Sequence, residues 1–300
     1  CTIYVIAQNV NLGLLVFSNN GSFSGFIVAP RVSPSPADLF WSTFATEEQK
    51  KRQKLFLPIE YANIDLNNRG FIYAVESGKT ENKSIKLLSP TGQDVLKRNG
   101  FHLPVGDLHF SLSSVFIDIT ARNFGGYSVL DHNNGKIFTY DSNSRLLYTC
   151  GGLGQLKGLF VNPVAIEEIN NKIAVLDSRS GYITVFKPTV YAKKVHNAII
   201  SYKQGRYNKS ANIWSNVLQE NANLALAYNG IGKNLLRREK YKKAMKMFKQ
   251  GNDRLNYSQA YSYYRRIFMK NNFSIILTLV IVLLIIIYTF VKLRYKFKEG

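Results

Sequence analysis

Two similar segments decide how this sequence folds: VLDHNNGKIFTY at residues 129–140 and VLDSRSGYITVF at residues 175–186. Each contains a run of β-branched and aromatic residues, an Asp that begins a turn, a Gly that ends it and a second apolar run. This pattern predicts a β-hairpin, and the two copies are 46 residues apart. Looser copies at residues 3–17 and 72–88 predict about four units of antiparallel strands. Repeats of this length and composition are typical of a β-propeller.

The linker between the two copies resembles the NHL repeat. It carries Gly154, Gly158, Phe160 and Pro163 in the pattern G-x-x-x-G-x-F-x-x-P. The resemblance implies an NHL-type propeller over residues 1–190. Because such propellers commonly have about six blades, it also implies that about two blades precede Cys1.

A long insertion at residues 35–55 interrupts the strand pattern. Thr46 and Gln49 have the spacing of a capping box, which predicts a short helix. Insertions of this size lie on one face of a propeller and often carry specific contacts. Phe40, Trp41 and Phe44 are therefore candidate partner contacts, and the alternative is that they only cover a sheet edge.

Charge divides the chain into two parts. Residues 1–190 hold 18 basic and 15 acidic side chains, whereas residues 191–300 hold 21 basic and 4 acidic ones. The propeller region therefore has a net charge of only +3. This argues against nucleic acid as its partner, because such partners select strongly basic surfaces.

The pattern becomes helical after Pro188 and repeats every 34 residues. Four positions of the first copy, Ala198, Tyr207, Ser210 and Trp214, recur as Gly232, Tyr241, Ala244 and Phe248. This is the tetratricopeptide period, with small residues where helices cross and aromatic residues between hairpins. We predict tetratricopeptide-like repeats over residues 191–272, in which a last helix at residues 257–272 caps the two repeats.

An uncharged run of nineteen residues, Phe273–Val291, predicts a transmembrane helix. At about 1.5 Å per residue it covers roughly 28 Å, close to the hydrocarbon thickness of a bilayer. Basic residues flank it on both sides, and a basic tail at residues 292–300 follows. Because both flanks are basic, the positive-inside rule does not orient the helix.

Basic residues also cluster in the helical repeats near the predicted span. They are expected either to contact anionic lipid head groups or to form a solvated helical face. The candidate head-group contacts are Lys242, Lys243, Lys246, Lys249, Lys292 and Arg294.

Few residues indicate catalysis or metal binding. Two cysteines and four histidines exclude a disulfide framework and a zinc cluster, and no catalytic triad can be assigned. No cofactor is predicted. The alternative is a metal-dependent lactonase-type hydrolase, for which Asp118, Asp131 and Asp177 are the available carboxylates. Asp131 and Asp177, however, occupy the repeated turn position, where Asp closes its own backbone turn.

The order of propeller, helical repeats and span resembles a group of bacterial membrane-anchored NHL proteins. The stretches that carry the resemblance include Phe40-Trp41, residues 191–214 and residues 241–248. It implies a cell-membrane protein with an extracytoplasmic propeller, often followed by a Yip-family membrane domain. We therefore expect a non-enzymatic, membrane-tethered binding or scaffold protein. Its expected partners are components of an envelope transport assembly, and a small-molecule or carbohydrate ligand is the further expectation.

Overall fold

The computed structural model describes residues 2–7, 13–27, 60–76, 84–98, 103–107 and 113–296, with the side chains of residues 291–296 left out of the description. The predicted helix at residues 35–55 lies outside the described residues. The chain divides into two units, Cys1–Ala192 and Lys193–Gly300, and each is described by itself. The first is built of strands and the second of helices.

The described strands of the first unit form four antiparallel sheets, each made of strands that follow one another in the chain. Sheet 1 contains β1 (Ile3–Val5), β2 (Leu14–Phe17) and β3 (Phe23–Ile27). Sheet 2 contains β4 (Tyr61–Leu66), β5 (Ile72–Glu76) and β6 (Ile85–Leu88). Sheet 3 contains β7 (Phe116–Ala121), β8 (Tyr127–Asp131), β9 (Lys136–Tyr140) and β10 (Leu146–Gly151). Sheet 4 contains β11 (Pro163–Ile169), β12 (Lys172–Asp177) and β13 (Tyr182–Phe186).

The two repeated segments form equivalent hairpins, as predicted. One is β8–β9, in which Asp131 pairs with Lys136, and the other is β12–β13, in which Asp177 pairs with Tyr182. Gly135 closes the first turn at a φ of 59°, in the left-handed region that disfavours a side chain. A Cβ there would also lie 2.8 Å from the Gly152 carbonyl group, so this turn requires glycine.

Successive sheets pack face to face through buried apolar layers. Leu14 of sheet 1 packs with Ile72 and Leu88 of sheet 2, and Tyr73 of sheet 2 packs with Phe116 and Tyr127 of sheet 3. Sheets 3 and 4 share a third layer that contains Leu130, Ile137, Phe160 and Val175. The first strands of sheets 2, 3 and 4 lie next to one another. Four sheets arranged in this way fit an incomplete β-propeller.

The second unit consists of antiparallel helices joined by short turns. They are α1 (Val190–Lys203), whose first turn belongs to the first unit, α2 (Tyr207–Glu220), α3 (Ala225–Arg237), α4 (Tyr241–Gln250) and α5 (Arg254–Lys296).

Small residues allow these helices to approach closely. Ser210 donates a hydrogen bond of 2.8 Å from Oγ to the Ala198 carbonyl oxygen, which joins α1 to α2. A Cβ on Gly232 would lie 2.7 Å from the Phe248 ring, so α3 meets α4 only because this residue is glycine. The positions predicted from the 34-residue period therefore lie at helix contacts, and the tetratricopeptide assignment itself stays a prediction.

The last helix joins two predicted segments. A capping helix was expected at residues 257–272, leading into a span at Phe273–Val291. The structure has one uninterrupted helix, Arg254–Lys296, which also includes part of the predicted basic tail. The physical reason is that this stretch contains neither Gly nor Pro, so nothing interrupts its backbone hydrogen bonds. Its 43 residues correspond to about 64 Å.

Candidate functional site

The first strands of sheets 2, 3 and 4 bring several carboxylates together. Asp65 Oδ2 of β4 accepts a hydrogen bond of 2.7 Å from the Ala121 backbone N–H of β7. The Thr120 hydroxyl lies 3.2 Å from Asp65 Oδ2 and 3.4 Å from Glu167 Oε1 of β11. Burial and the charge of Asp65 raise the pKa of Glu167. These carboxylates therefore join three neighbouring strands through one shared hydroxyl and a backbone N–H group.

Asp118 also lies on β7, but its side chain is buried. Its side chain accepts backbone hydrogen bonds from Ile119, at 2.7 Å, and from Ile166 of sheet 4, at 2.6 Å. Burial raises the pKa of Asp118 to about 6, against the lowering effect of these two N–H groups, and the charges of Glu167 and Asp65 act in the same direction as burial. Asp118 thus links sheet 3 to sheet 4, and both of its oxygens are engaged by backbone groups.

We expect Asp118 to make the stability of the first unit fall as pH rises from about 4 to about 6. Its pKa is higher in the folded chain than in the unfolded one, so the folded state binds more protons across that window. Relative to an Asp118→Asn variant, the wild type should lose on the order of 2–3 kcal/mol of unfolding free energy between about pH 4 and about pH 7. Urea unfolding of both proteins at several pH values measures this difference. If the free energies of unfolding of the two proteins change with pH in parallel, the raised pKa of Asp118 would be contradicted.

The other two candidate carboxylates close turns, as the sequence predicted. Asp131 accepts hydrogen bonds from the backbone N–H groups of Val115 and Asn133 and from the Ser114 hydroxyl. Asp177, at the equivalent position of sheet 4, accepts four backbone N–H bonds. Their donors are Val161, Asn162, Arg179 and Ser180.

The three carboxylates proposed for a lactonase do not form a metal site. In the part of the chain that the structure describes, no three His, Cys, Asp or Glu side chains are grouped so that they could hold a metal ion. Asp118, Asp131 and Asp177 each bind backbone N–H groups of their own surroundings instead. Their oxygens therefore serve the packing of sheets and turns.

A buried ion pair joins the end of β7 to β11. It was not predicted from the sequence. Arg122 Nε donates to Glu168 Oε1 at 3.0 Å, and the two side chains are only 2% and 5% exposed. Arg122 Nη1 also donates to Ser128 Oγ, and Glu168 Oε2 accepts the Asn123 backbone N–H at 2.6 Å. The partners are 46 residues apart, so the pair connects corresponding parts of sheets 3 and 4. That spacing, equal to the repeat, is the one sequence signal that could have pointed to it.

Arg122 also lines a groove of about 230 Å³ in the first unit. Most of its other walls are apolar or aromatic, and they include Tyr148, Ile173, Phe186 and Cys150. Burial raises the pKa of the Cys150 thiol to about 11, while the Arg122 charge acts to lower it. Cys150 is therefore a neutral thiol near neutral pH and lacks the thiolate character of a nucleophile.

The predicted lipid contacts of α4 are all exposed. Lys242 and Lys243 lie in its first turn, Lys246 in the middle and Lys249 in its last turn. The Lys242 ammonium lies 5.2 Å from the centre of the Tyr264 ring of α5. Lys292 and Arg294 belong to α5 by their backbone, and their side chains lie outside the description. Phe40, Trp41 and Phe44 lie outside the described residues altogether.

The second half of α5 is long and apolar enough to cross a membrane. None of its apolar window is buried within the described chain, unlike the core helix of a globular protein. Leu279, Leu283 and Tyr288 are each more than half exposed, and apolar residues cover every side of this helix. The helix therefore presents a continuous apolar surface, as a helix in contact with lipid does.

No family model and no curated protein matches this chain. Among solved structures it is similar to a streptogramin B lyase, with 16% identity, a TM-score of 0.35 and coverage of 62% of this chain and 51% of that one. A protein of unknown function from Bacteroides caccae shows 14% identity, a TM-score of 0.32 and coverage of 59% and 54%. A virginiamycin B lyase from Staphylococcus aureus shows 12% identity and a TM-score of 0.27, with coverage of 63% of this chain and 75% of that one.

The chain spans about half the length of the first two of these structures. The identities and TM-scores are too low for the activity of those lyases to bear on this chain. The architecture follows from the topology of the four sheets.

Proposed function

We propose that this chain is a non-enzymatic binding or scaffold protein that the apolar part of α5 anchors in the cell membrane. The observation that carries the proposal is the apolar surface between Phe273 and Phe290, which the described chain leaves uncovered. In water, apolar side chains exposed at this density would favour aggregation, whereas a bilayer covers them at no such cost. The β-sheet unit then supplies a rigid support for recognition.

The finer features of the proposal come from the sequence. The sheets would be NHL-type blades, α1 to α4 would be tetratricopeptide-like hairpins, and the propeller would be extracytoplasmic. The partners would be components of an envelope transport assembly, with a small molecule or carbohydrate as a further ligand. Protease treatment of intact cells tests the orientation, because an extracytoplasmic propeller would be cleaved without lysis.

Partner capture tests the recognition role of the insertion. In the full-length membrane protein, replacing Phe40, Trp41 and Phe44 together with alanine should weaken a crosslinked partner complex about tenfold or more, because a few aromatic residues dominate many interfaces. Tyr182→Ala removes an aromatic side chain of β13 that is 73% exposed, and it should leave capture unchanged. If both variants lose partner capture to the same extent, the assignment of Phe40, Trp41 and Phe44 as partner contacts would be contradicted.

The same preparation separates the proposal from the hydrolase alternative. Purified full-length protein would be analysed for bound divalent metal and for hydrolysis of a panel of lactones. The proposal predicts no turnover that depends on Asp118. If the wild type binds stoichiometric metal, and Asp118→Asn loses both the metal and lactone hydrolysis, the hydrolase alternative would be favoured over the proposed function.

A further inference from the structure

The helices of the second unit are arranged so that one end is closest to the apolar segment of α5. Helix α4 runs antiparallel to α5: its first residue, Tyr241, contacts Tyr263 with ring centres 5.7 Å apart, and Lys242 lies over Tyr264. The other end of α4 turns directly into the start of α5, where the Asp253 N–H donates to the Phe248 carbonyl oxygen. Because α5 continues from Tyr264 to the apolar segment without a break, the start of α4 is the end nearer to that segment.

The turns of the two helical hairpins meet at this end. Helix α3 leads into α4 through a tight turn in which the Lys240 N–H donates to the Leu235 carbonyl oxygen. The Arg237 guanidinium of α3 lies 4.0 Å from the centre of the Tyr207 ring, at the start of α2. The α1–α2 turn and the α3–α4 turn are therefore neighbours.

This end is strongly basic. We name as the basic end six exposed residues of the two turns and of the first turn of α4: Arg206, Arg237, Arg238, Lys240, Lys242 and Lys243. Glu239 is the acidic residue among them. Arg237 and Lys242 are held by aromatic rings, which orient their charges without neutralising them.

The opposite end of the same helices differs in charge. Glu220, at the end of α2, pairs with Lys194, and Asp253 lies in the turn before α5, where it accepts the Asn256 N–H. Two of the three acidic residues between 193 and 296 are thus at the far end. Lys249 and Arg254 also lie at the far end, so that end is less positive and not negative. The excess of positive charge is largest at the end towards the apolar segment.

The distance along α5 places the basic end just beyond the head-group layer. Tyr264, which contacts Lys242, precedes Phe273 by nine residues, or about 13 Å of helix. Head groups extend roughly 5–8 Å beyond the hydrocarbon on each side. The basic end then lies within about one Debye length, ~8 Å, of the head groups at physiological salt. Lys249 is seven residues further along α4, or about 10 Å more distant.

We infer that the basic end is a docking surface for anionic lipid head groups and that it holds the helical unit against the membrane. The inference rests on the proposed membrane anchor and deepens it. It assigns the contact to the turns and to Lys242 and Lys243, and not to Lys249. The occupant is a lipid surface, because a rigid helix places the basic end beside the bilayer.

Lipid enrichment around the full-length protein tests this inference. The protein would be reconstituted into vesicles of phosphatidylcholine and phosphatidylglycerol in equal parts and extracted into polymer-bounded discs, and the lipids would be counted by mass spectrometry. We expect the ratio of phosphatidylglycerol to phosphatidylcholine in the discs to be about fivefold or more above the ratio in the vesicles, the scale that one basic residue contributes near a charged surface. Raising the salt concentration should remove the enrichment.

Two triple variants with the same change in charge locate the contact. Lys240→Gln, Lys242→Gln and Lys243→Gln together should lower that lipid ratio to less than about half of its wild-type value. Arg265, Arg266 and Lys270, which lie between Tyr264 and the apolar segment, are kept in every variant and contribute equally to all of them. Lys246→Gln, Lys249→Gln and Arg254→Gln, at exposed positions further from the span, should leave the lipid ratio nearly unchanged. Equal effects of the two variants, or no enrichment in the wild type, would overturn the inference.

Flotation with neutral vesicles separates this result from failure of the anchor. A wild-type protein that does not float with phosphatidylcholine vesicles would contradict the proposed function itself. A protein that floats but gathers no phosphatidylglycerol would contradict only the lipid contact. Circular dichroism of both triple variants verifies that their helices are intact.

Discussion

Replacing Arg122 with methionine is expected to lower the free energy of unfolding of the first unit by about 3–5 kcal/mol, the usual effect of removing one partner of a buried ion pair. Arg122 and Glu168 are almost fully buried and lie 3.0 Å apart between sheets 3 and 4. Methionine has a comparable apolar stem but leaves the Glu168 carboxylate buried without its cation. Most of the loss is therefore the cost of an uncompensated charge.

A double variant tests that explanation. Combining Arg122→Met with Glu168→Gln removes the stranded charge and keeps an oxygen acceptor for the Asn123 N–H. It should recover at least half of the stability that the single variant loses, because a buried pair contributes less than its separated members cost. Urea unfolding monitored by hydrogen exchange of peptides from β7 and β8 assigns the change to this unit.

The half-exposed pair of Lys136 and Asp107 supplies a control. Its side chains are 39% and 33% exposed, so Lys136→Met should change the free energy of unfolding by less than about 1 kcal/mol. An Arg122→Met loss as small as that of the control would show that the pair does not hold sheets 3 and 4 together. A double variant no more stable than the single one would show that the loss comes from packing.

The difference between this ion pair and the hairpins shows what the sequence can predict. The segments at residues 129–140 and 175–186 form hairpins because all of their signals are local: alternating apolar residues, an Asp and a Gly. The turn role of Asp131 and Asp177 follows from the same local pattern. Arg122 and Glu168 meet only because neighbouring sheets pack face to face, and no local pattern encodes that contact.

The helical region shows the same limit. The 34-residue period correctly placed Gly232 and Phe248 at a helix contact, because both belong to a repeated local pattern. The sequence divides the last helix at residue 272 by its change in hydrophobicity, and the helix backbone continues through that position because Gly and Pro are absent. Similarly, the basic residues of α4 could be counted in the sequence, whereas their distances from the apolar segment depend on the antiparallel packing of α4 and α5.

Two arginines in the apolar segment are expected to remove this protein from the membrane. Val282 and Leu284 lie near the middle of the segment, are 46% and 59% exposed, and point about 200° apart around the helix. Each arginine at the centre of a span costs about 2.5–3.5 kcal/mol on the insertion scale. Together they disfavour insertion by about 5–7 kcal/mol, which is roughly four orders of magnitude in the partition between membrane and water.

The position of the substitutions is what distinguishes a span from a soluble helix. Val282→Ala with Leu284→Ala should stay in the membrane fraction after alkaline carbonate extraction. So should Leu255→Arg, which adds a charge to an 85% exposed position in the first turn of the same helix. If the double arginine variant also stays in that fraction, the apolar segment does not cross the bilayer. Because Val282 and Leu284 face opposite sides of α5, no single protein interface could cover both, so release of this variant would identify lipid as the surroundings of the helix.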